Sequence, residues 1–204
     1  MPARGRLIVL EGGEGSGKST QAALLAAELG ALLTREPGGT ALGEALRPFL
    51  LGESGPLDAM AELLLFNAAR AQHCAERISP ALEDGRDVVC DRFTASTLAY
   101  QGFGRGLPME DIRRASKLAT GGLCADLTVL LDVSLEVSRR RRSAPTDAIE
   151  AAGDAFHERV LEGFRHLARA DSDTWVVIDG SGSPEAVAEL VRSAVRRRLG
   201  GSPT

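Results

Sequence analysis

The run Gly12-Gly13-Glu14-Gly15-Ser16-Gly17-Lys18-Ser19, with Thr20 after it, fits the pattern G-x-x-x-x-G-K-[ST]. Glycines at this spacing let successive backbone N–H groups turn inward, and such a ring of donors cradles phosphates. A helix starting at the end of the run adds the positive end of its dipole. Lys18 is then placed to reach the β- and γ-phosphates of ATP, and the Ser19 hydroxyl to hold Mg2+. Lys18 and Lys117 are the only lysines in a chain whose basic charge is otherwise arginine. The acceptor is not named by this loop, because the same cradle serves ATPases, GTPases, small-molecule kinases and switch proteins. No Asn-Lys-x-Asp motif of the guanine-reading kind occurs.

A magnesium site of this type needs a second anchor, an acidic residue ending a neighbouring apolar strand. Asp91, after Val88-Val89-Cys90, meets that description. The plainer alternative is an ion pair with Arg92 at a strand end, and the two are compatible. Lys18, Asp91 and Arg92 are the first candidates for catalytic work, with Ser19 and Asp91 as the metal pair.

The elements that must position these residues alternate strand and helix, which implies a parallel sheet with helices on both faces. Leu7 to Leu10, Ala31 to Thr34, Asp87 to Asp91, Leu127 to Val133 and Trp175 to Asp179 are the five expected strands. Helices are expected from Lys18 to Leu29 with Gly30 as the stop, from Ala41 to Leu51, and over the long stretch Leu57 to Leu82. A last helix opens with Ser183 as cap and Pro184 as first residue, and Val187, Leu190, Val191, Ala194 and Val195 form its apolar stripe.

With 204 residues, the chain suits one α/β domain over 1–204, with a frayed tail at 200–204. A net charge of −4 argues against a general affinity for nucleic acid, which depends on cationic surface. Cys74, Cys90 and Cys124 are too few and too scattered for a disulfide framework or a zinc site, so a reducing cytoplasm is expected. No apolar stretch approaches the roughly 18 residues that span a bilayer, so no membrane partner is expected.

Thr34-Arg35-Glu36-Pro37-Gly38-Gly39-Thr40, Phe66-Asn67-Ala68-Ala69-Arg70, and Asp91-Arg92-Phe93 through Ser96-Thr97-Leu98-Ala99-Tyr100-Gln101-Gly102 resemble the motifs of bacterial thymidylate kinases, as does Glu11 to Thr20. The likeness runs from about Leu7 to Ile178. It implies a P-loop NTPase-type sheet with a short mobile lid, a homodimer, and the reaction ATP + dTMP giving ADP + dTDP. By the same resemblance Phe66 stacks on the base, Arg70 donates to a thymine carbonyl, Gln101 with Ser96 or Thr97 contacts the ring, and Tyr100 closes the sugar side. Glu14 and Glu36 fall on the acceptor side as well. The chemistry agrees: a monophosphate is already an anionic nucleophile near neutral pH, so the task is to bring two polyanions together. Arg35, Arg47 and Arg92 are the cations for the acceptor phosphate, with a solvated helix face as the alternative for Arg47.

No arginine lies in the variable positions of the loop, Gly13 to Ser16, so the cation bridging donor and acceptor must come from elsewhere. Arg139-Arg140-Arg141-Arg142 precede the turn-rich Ser143-Ala144-Pro145-Thr146-Asp147, which suggests a lid over 139–152. Arg142 is the catalytic candidate and Arg139 the ATP-binding one; a basic helix end stabilised by the dipole is the alternative. The family usually carries Asp-Arg, an apolar residue and Glu in its lid, where this chain has Asp147-Ala148-Ile149-Glu150. Two rivals remain: a kinase acting on another nucleotide or nucleoside, and a P-loop regulatory protein that has lost turnover.

Overall fold

A computed structural model describes residues 3–52, 55–141 and 153–200. Its centre is a five-stranded, wholly parallel sheet built from β1 (Leu7–Glu11), β2 (Leu32–Arg35), β3 (Val88–Asp91), β4 (Leu127–Asp132) and β5 (Trp175–Asp179). The spatial order is β2-β3-β1-β4-β5. Each strand ends on a charged residue, respectively Glu11, Arg35, Asp91, Asp132 and Asp179, so the carboxyl edge of an apolar sheet is a row of charges. In open parallel sheets this edge, where the strand order reverses beside the first strand, is where ligands bind.

Alternation along the strands divides the core in two. Ile8, Leu10, Val89, Leu127, Val129 and Leu131 point to one face. There they meet Ala22 and Leu25 of α1 (Lys18–Leu29) and Val187, Val191, Ala194 and Val195 of the carboxyl-terminal helix, Pro184–Leu199. That helix is capped as expected, the Ser183 side chain accepting from the Ala186 N–H, but its stripe is shifted: Leu190 is exposed and Ala188 buried. Leu7, Val9, Val88 and Cys90 face the other way, against Cys74, Ile78 and Leu82.

The helical stretch expected over Leu57 to Leu82 is three pieces in series. After α2 (Ala41–Leu50) come α3 (Ala59–His73), a π-helical turn at Cys74–Ile78, and α4 (Ser79–Glu83). Asp58 caps α3 through its carboxylate, and Pro80 sits in the first turn of α4, where a missing N–H costs nothing. A second π-helical turn, Leu98–Gly104, follows the short α5 (Thr94–Thr97) and carries Tyr100 and Gln101. Such turns gather at functional sites.

Two further helices were not among the expected elements, α6 (Met109–Thr120) and α8 (Asp154–Ala170), whereas α7 (Leu135–Arg141) ends on Arg139 to Arg141 as the basic helix end given above as the alternative. Phe156, Val160, Phe164 and Leu167 of α8 pack on Tyr100, Ala95 and Leu130, which walls the sheet on the side of the second π turn. Burial of Phe164, which is wholly enclosed, contributes about 2–3 kcal/mol. Among the described residues no helix is long and apolar enough to cross a membrane. Arg142 and the segment Asp147-Ala148-Ile149-Glu150 lie outside the described residues, as does most of the expected lid.

Candidate functional site

At the end of β1 the chain turns into a loop that only glycine can make at two positions. Gly12 has φ 147°, and a Cβ there would lie 2.5 Å from the Leu131 carbonyl oxygen. Gly17 has φ 91° and caps α1, leaving the first N–H groups of that helix facing the loop. The Lys18 ammonium donates to the Gly13 carbonyl at 2.7 Å and to Ser16 Oγ at 3.4 Å. Burial lowers its pKa to about 8; Arg92 adds to the effect while Glu14, Asp91 and Glu11 oppose it.

Ser19 Oγ donates to Asp91 Oδ2 at 2.5 Å, across from α1 to the end of β3. The other carboxylate oxygen, Asp91 Oδ1, is buried and has no hydrogen-bond partner among the described residues. A hydroxyl and a carboxylate with one acceptor unspent suit a hard cation that takes its remaining oxygens from water and phosphate, as Mg2+ does. No group of three or more His, Cys, Asp or Glu side chains placed to hold a metal occurs among the described residues.

From this end one cavity runs toward α3. Lys18, Ser19, Asp91, Arg92 and Glu14 line it at the loop. Arg35, Glu36, Pro37 and Arg47 form one side, and Phe66, Arg70, Ser96, Thr97, Tyr100 and Gln101 close the far end. The candidates scattered between positions 14 and 101 are therefore brought to one wall-to-wall site.

Arg92 is the one described non-glycine residue with positive φ, 73°. Such a conformation costs about 1–3 kcal/mol and persists only where neighbours impose it. Here Glu11 imposes it: its wholly buried carboxylate accepts from the Phe93 N–H at 2.9 Å, the Ser96 N–H at 3.1 Å and the Ser96 hydroxyl at 2.6 Å. Burial raises the Glu11 pKa, and the Ser96 hydrogen bond, the charges of Arg92 and Lys18, and the Phe93 N–H pull it back. The Arg92 guanidinium then donates to the Gly12 carbonyl and to Ser96 Oγ, each at 3.2 Å, and pairs with Glu14. Burial works against its charge, but Glu14 and the other carboxylates outweigh burial and raise its pKa. Tyr100 lies beneath it at 5.1 Å and donates its hydroxyl to Glu14 at 2.8 Å.

Arg70 is nearly sealed from solvent. Its Nε donates to Glu36 Oε2 at 2.7 Å, Nη2 to the Phe93 carbonyl at 3.1 Å and Nη1 to Asn67 Oδ1 at 3.4 Å. Glu36, next to the cis peptide that joins it to Pro37, is held in turn by His73 at 3.1 Å, and His73 by Thr34 at 2.6 Å. At the other corner Gln101 donates its amide to Glu62 Oε1 at 2.8 Å, and Arg105 pairs with Glu62 at 3.0 Å. Phe66 is half-buried between this wall and the core. Arg47 donates to the Pro37 carbonyl at 2.6 Å, so it is not a solvated helix face; Arg35, more exposed, pairs with Glu44 at 3.0 Å.

A second groove lies on the opposite side of the loop, lined by Ser16, Gly17, Thr20, Gln21, Arg141, Gly180, Gly182, Pro184 and Val187. Arg141 donates to the Ser181 and Gly182 carbonyls at 3.0 and 3.1 Å. Among the described arginines of the run, 139 to 141, it is Arg141 that reaches the loop, at the Gly15 carbonyl. Arg139 pairs with Asp154 and Arg140 with Glu136, both exposed, and neither lines either cavity.

Residue type alone did not mark Glu11, Glu62, His73 or Arg141. For Glu62 a signal existed: it is an acidic residue inside the run Ala61-Glu62-Leu63-Leu64-Leu65-Phe66, four and eight positions before Phe66 and Arg70, hence on their face of the helix.

The thymidylate kinase family model matches residues 10–191. A thymidylate kinase of Synechococcus sp. (strain JA-3-3Ab) is 53% identical over 94% of this chain and 96% of its own length. One of Thermomicrobium roseum is 49% identical over 92% and 93%. The crystal structure of thymidylate kinase from Ehrlichia chaffeensis superposes with a TM-score of 0.78 at 33% identity, covering 95% of this chain and 99% of that one. The loop, the charged sheet edge and the sealed arginine pocket thus occur in a chain that belongs to the thymidylate kinase family.

Proposed function

We propose that this chain transfers the γ-phosphoryl group of ATP to dTMP, giving ADP and dTDP. The observation that carries the reading is one cavity joining a phosphate-binding end, at Lys18, Ser19, Asp91 and Arg92, to an end that offers a ring-sized apolar face and fixed polar groups, at Phe66, Arg70 and Gln101.

The acceptor phosphate sits against Arg92, with Arg47 and Arg35 supplying further positive charge. That charge is needed because two unit anions about 4 Å apart repel by about 4 kcal/mol at an effective dielectric of ~20. No general base is required, since the acceptor oxygen is already anionic. Thymine lies on Phe66, with a carbonyl toward Arg70 and its ring N–H toward Gln101; Thr97 and Ser96 border it. Tyr100, tied to Glu14, closes the sugar side where a 2′-hydroxyl would go, and Glu36 orients Arg70. ATP takes the loop Gly12 to Thr20 with Lys18 on its terminal phosphates, and its base enters the groove beside Arg141. Mg2+ is held by Ser19 and Asp91, and supplies charge neutralisation between the β- and γ-phosphates.

Arg139 and Arg142 remain proposals for the lid. The pairing of Arg139 with Asp154 makes it the weaker ATP ligand of the run. The chain works as one domain in the cytoplasm and as a homodimer; exposed Met60 and Leu64 on α3 and Leu118 on α6 give apolar surface for a second copy.

A coupled assay of ADP formation with ATP and Mg2+, run in turn with dTMP, dUMP, dCMP and thymidine, tests the reading. Preference for dTMP is expected. Preference for another acceptor, or no acceptor-dependent ADP, overturns it.

A further inference from the structure

We infer that Glu62 is a positioning residue that contributes to the choice of thymine over cytosine, by fixing which end of the Gln101 amide faces the cavity. The inference rests on the dTMP reading above.

Gln101 is 2% exposed and Glu62 4%, so neither side chain has water to satisfy it freely. A primary amide has a donor end and an acceptor end, and by shape alone the two are interchangeable. Glu62 removes the choice. Its carboxylate, paired with Arg105 at 3.0 Å, only accepts, and it takes the Gln101 Nε2–H at 2.8 Å. The flipped amide would set Gln101 Oε1 against a carboxylate oxygen, losing a charge-assisted hydrogen bond and adding repulsion. Gln101 therefore offers the cavity its carbonyl oxygen, an acceptor.

Thymine has an N–H at ring position 3, which that oxygen can take. Cytosine has a lone pair there, and two acceptors facing each other leave both unsatisfied in a buried place. The arrangement uses three residues from two distant parts of the chain: Glu62 on α3, with Gln101 and Arg105 at the second π turn. Arg105 is itself braced over the Phe156 ring at 5.0 Å.

The substitution Glu62→Gln isolates the effect, because a glutamine at 62 can either accept from Gln101 or donate to it. Both amide orientations then become available, and the flipped one donates to the cytosine ring nitrogen. Since dTMP still finds about half the population in the right orientation, its KM should rise no more than about twofold. The kcat/KM for dCMP should rise about tenfold, and the dTMP/dCMP ratio fall accordingly. General damage lowers both substrates together, so a gain with dCMP cannot come from poor folding. Arg105→Ala leaves the Glu62 carboxylate in place to accept the Gln101 N–H, so the ratio should stay within about twofold of parental.

Both ratios are measured on the same preparations, beside the parental enzyme. A parental enzyme that does not prefer dTMP to dCMP sinks the functional reading itself. A parental enzyme that does, with a Glu62→Gln ratio within threefold of parental or higher, overturns this inference and leaves that reading standing.

Discussion

The two ends of the active-site cavity are built on opposite plans. The proposed donor end is mainly backbone: eight consecutive residues with glycine at the tight points, and Lys18 and Ser19 as the main side chains. The proposed acceptor end is side chain, and its polar groups are held by carboxylates from other segments, three of them buried and Glu14 partly exposed. Glu11 holds the Arg92 turn, Glu36 holds Arg70, Glu62 holds Gln101, and Glu14 holds Tyr100. A triphosphate tail looks the same whatever base it carries, so local backbone is enough to hold it. Discriminating one base and one sugar needs groups that cannot turn, and in this molecule acidic residues supply that rigidity.

The largest effects should come where the two plans meet. Arg92→Ala, at the strained turn between them, is expected to lower kcat about a thousandfold while the protein remains folded, as seen by initial rates beside thermal unfolding. Asp91→Asn should raise the Mg2+ concentration for half-maximal rate about tenfold or more, measured by magnesium titration at saturating nucleotides.

Arg70→Ala separates the ends. The KM for dTMP should rise about thirtyfold with that for ATP unchanged. Because Glu36 would then be a buried charge without its partner, stability should fall by about 3–5 kcal/mol in denaturant unfolding. Equal loss of both nucleotide affinities would show that Arg70 serves both ends of the cavity.

Titration gives a gentler probe of the donor end. Lys18 carries its charge below a pKa of about 8 and loses it above. The kcat/KM for ATP should therefore decline as pH rises through about 8, whereas Arg92, with its pKa raised, stays charged throughout. A flat profile from pH 7 to 9 would contradict the role given to Lys18. Smallest of all is the comparison within the arginine run: Arg141→Ala should raise the KM for ATP about tenfold, and Arg139→Ala less than about twofold, its exposed pair with Asp154 being worth little.

The same contrast explains what the sequence alone could disclose. The loop, all five strands to within about a residue, and the helix caps at Gly30 and Ser183 were legible because each is a local pattern. The positions Phe66, Arg70 and Gln101 were legible by resemblance. The orientation of Arg70, of Gln101 and of the Arg92 turn was not, because Glu36, Glu62 and Glu11 act on residues 34, 39 and 82 positions away, and no local pattern carries that information. The π-helical turn at Cys74–Ile78 was equally hidden, since those residues read as ordinary helix. The α8 helix was visible in principle, its Phe156, Val160, Phe164 and Leu167 spaced for one buried face.

The assignment of Arg70 and Gln101 to the base and Arg92 to the phosphate can be seen in a crystal structure of this chain with dTMP and a non-hydrolysable ATP analogue. Thymine should stack on Phe66, with one carbonyl on Arg70, the ring N–H on Gln101 Oε1, and the monophosphate on Arg92 facing the analogue's terminal phosphate. A dTMP molecule bound the other way round, or outside the cavity between Lys18 and Gln101, would contradict it.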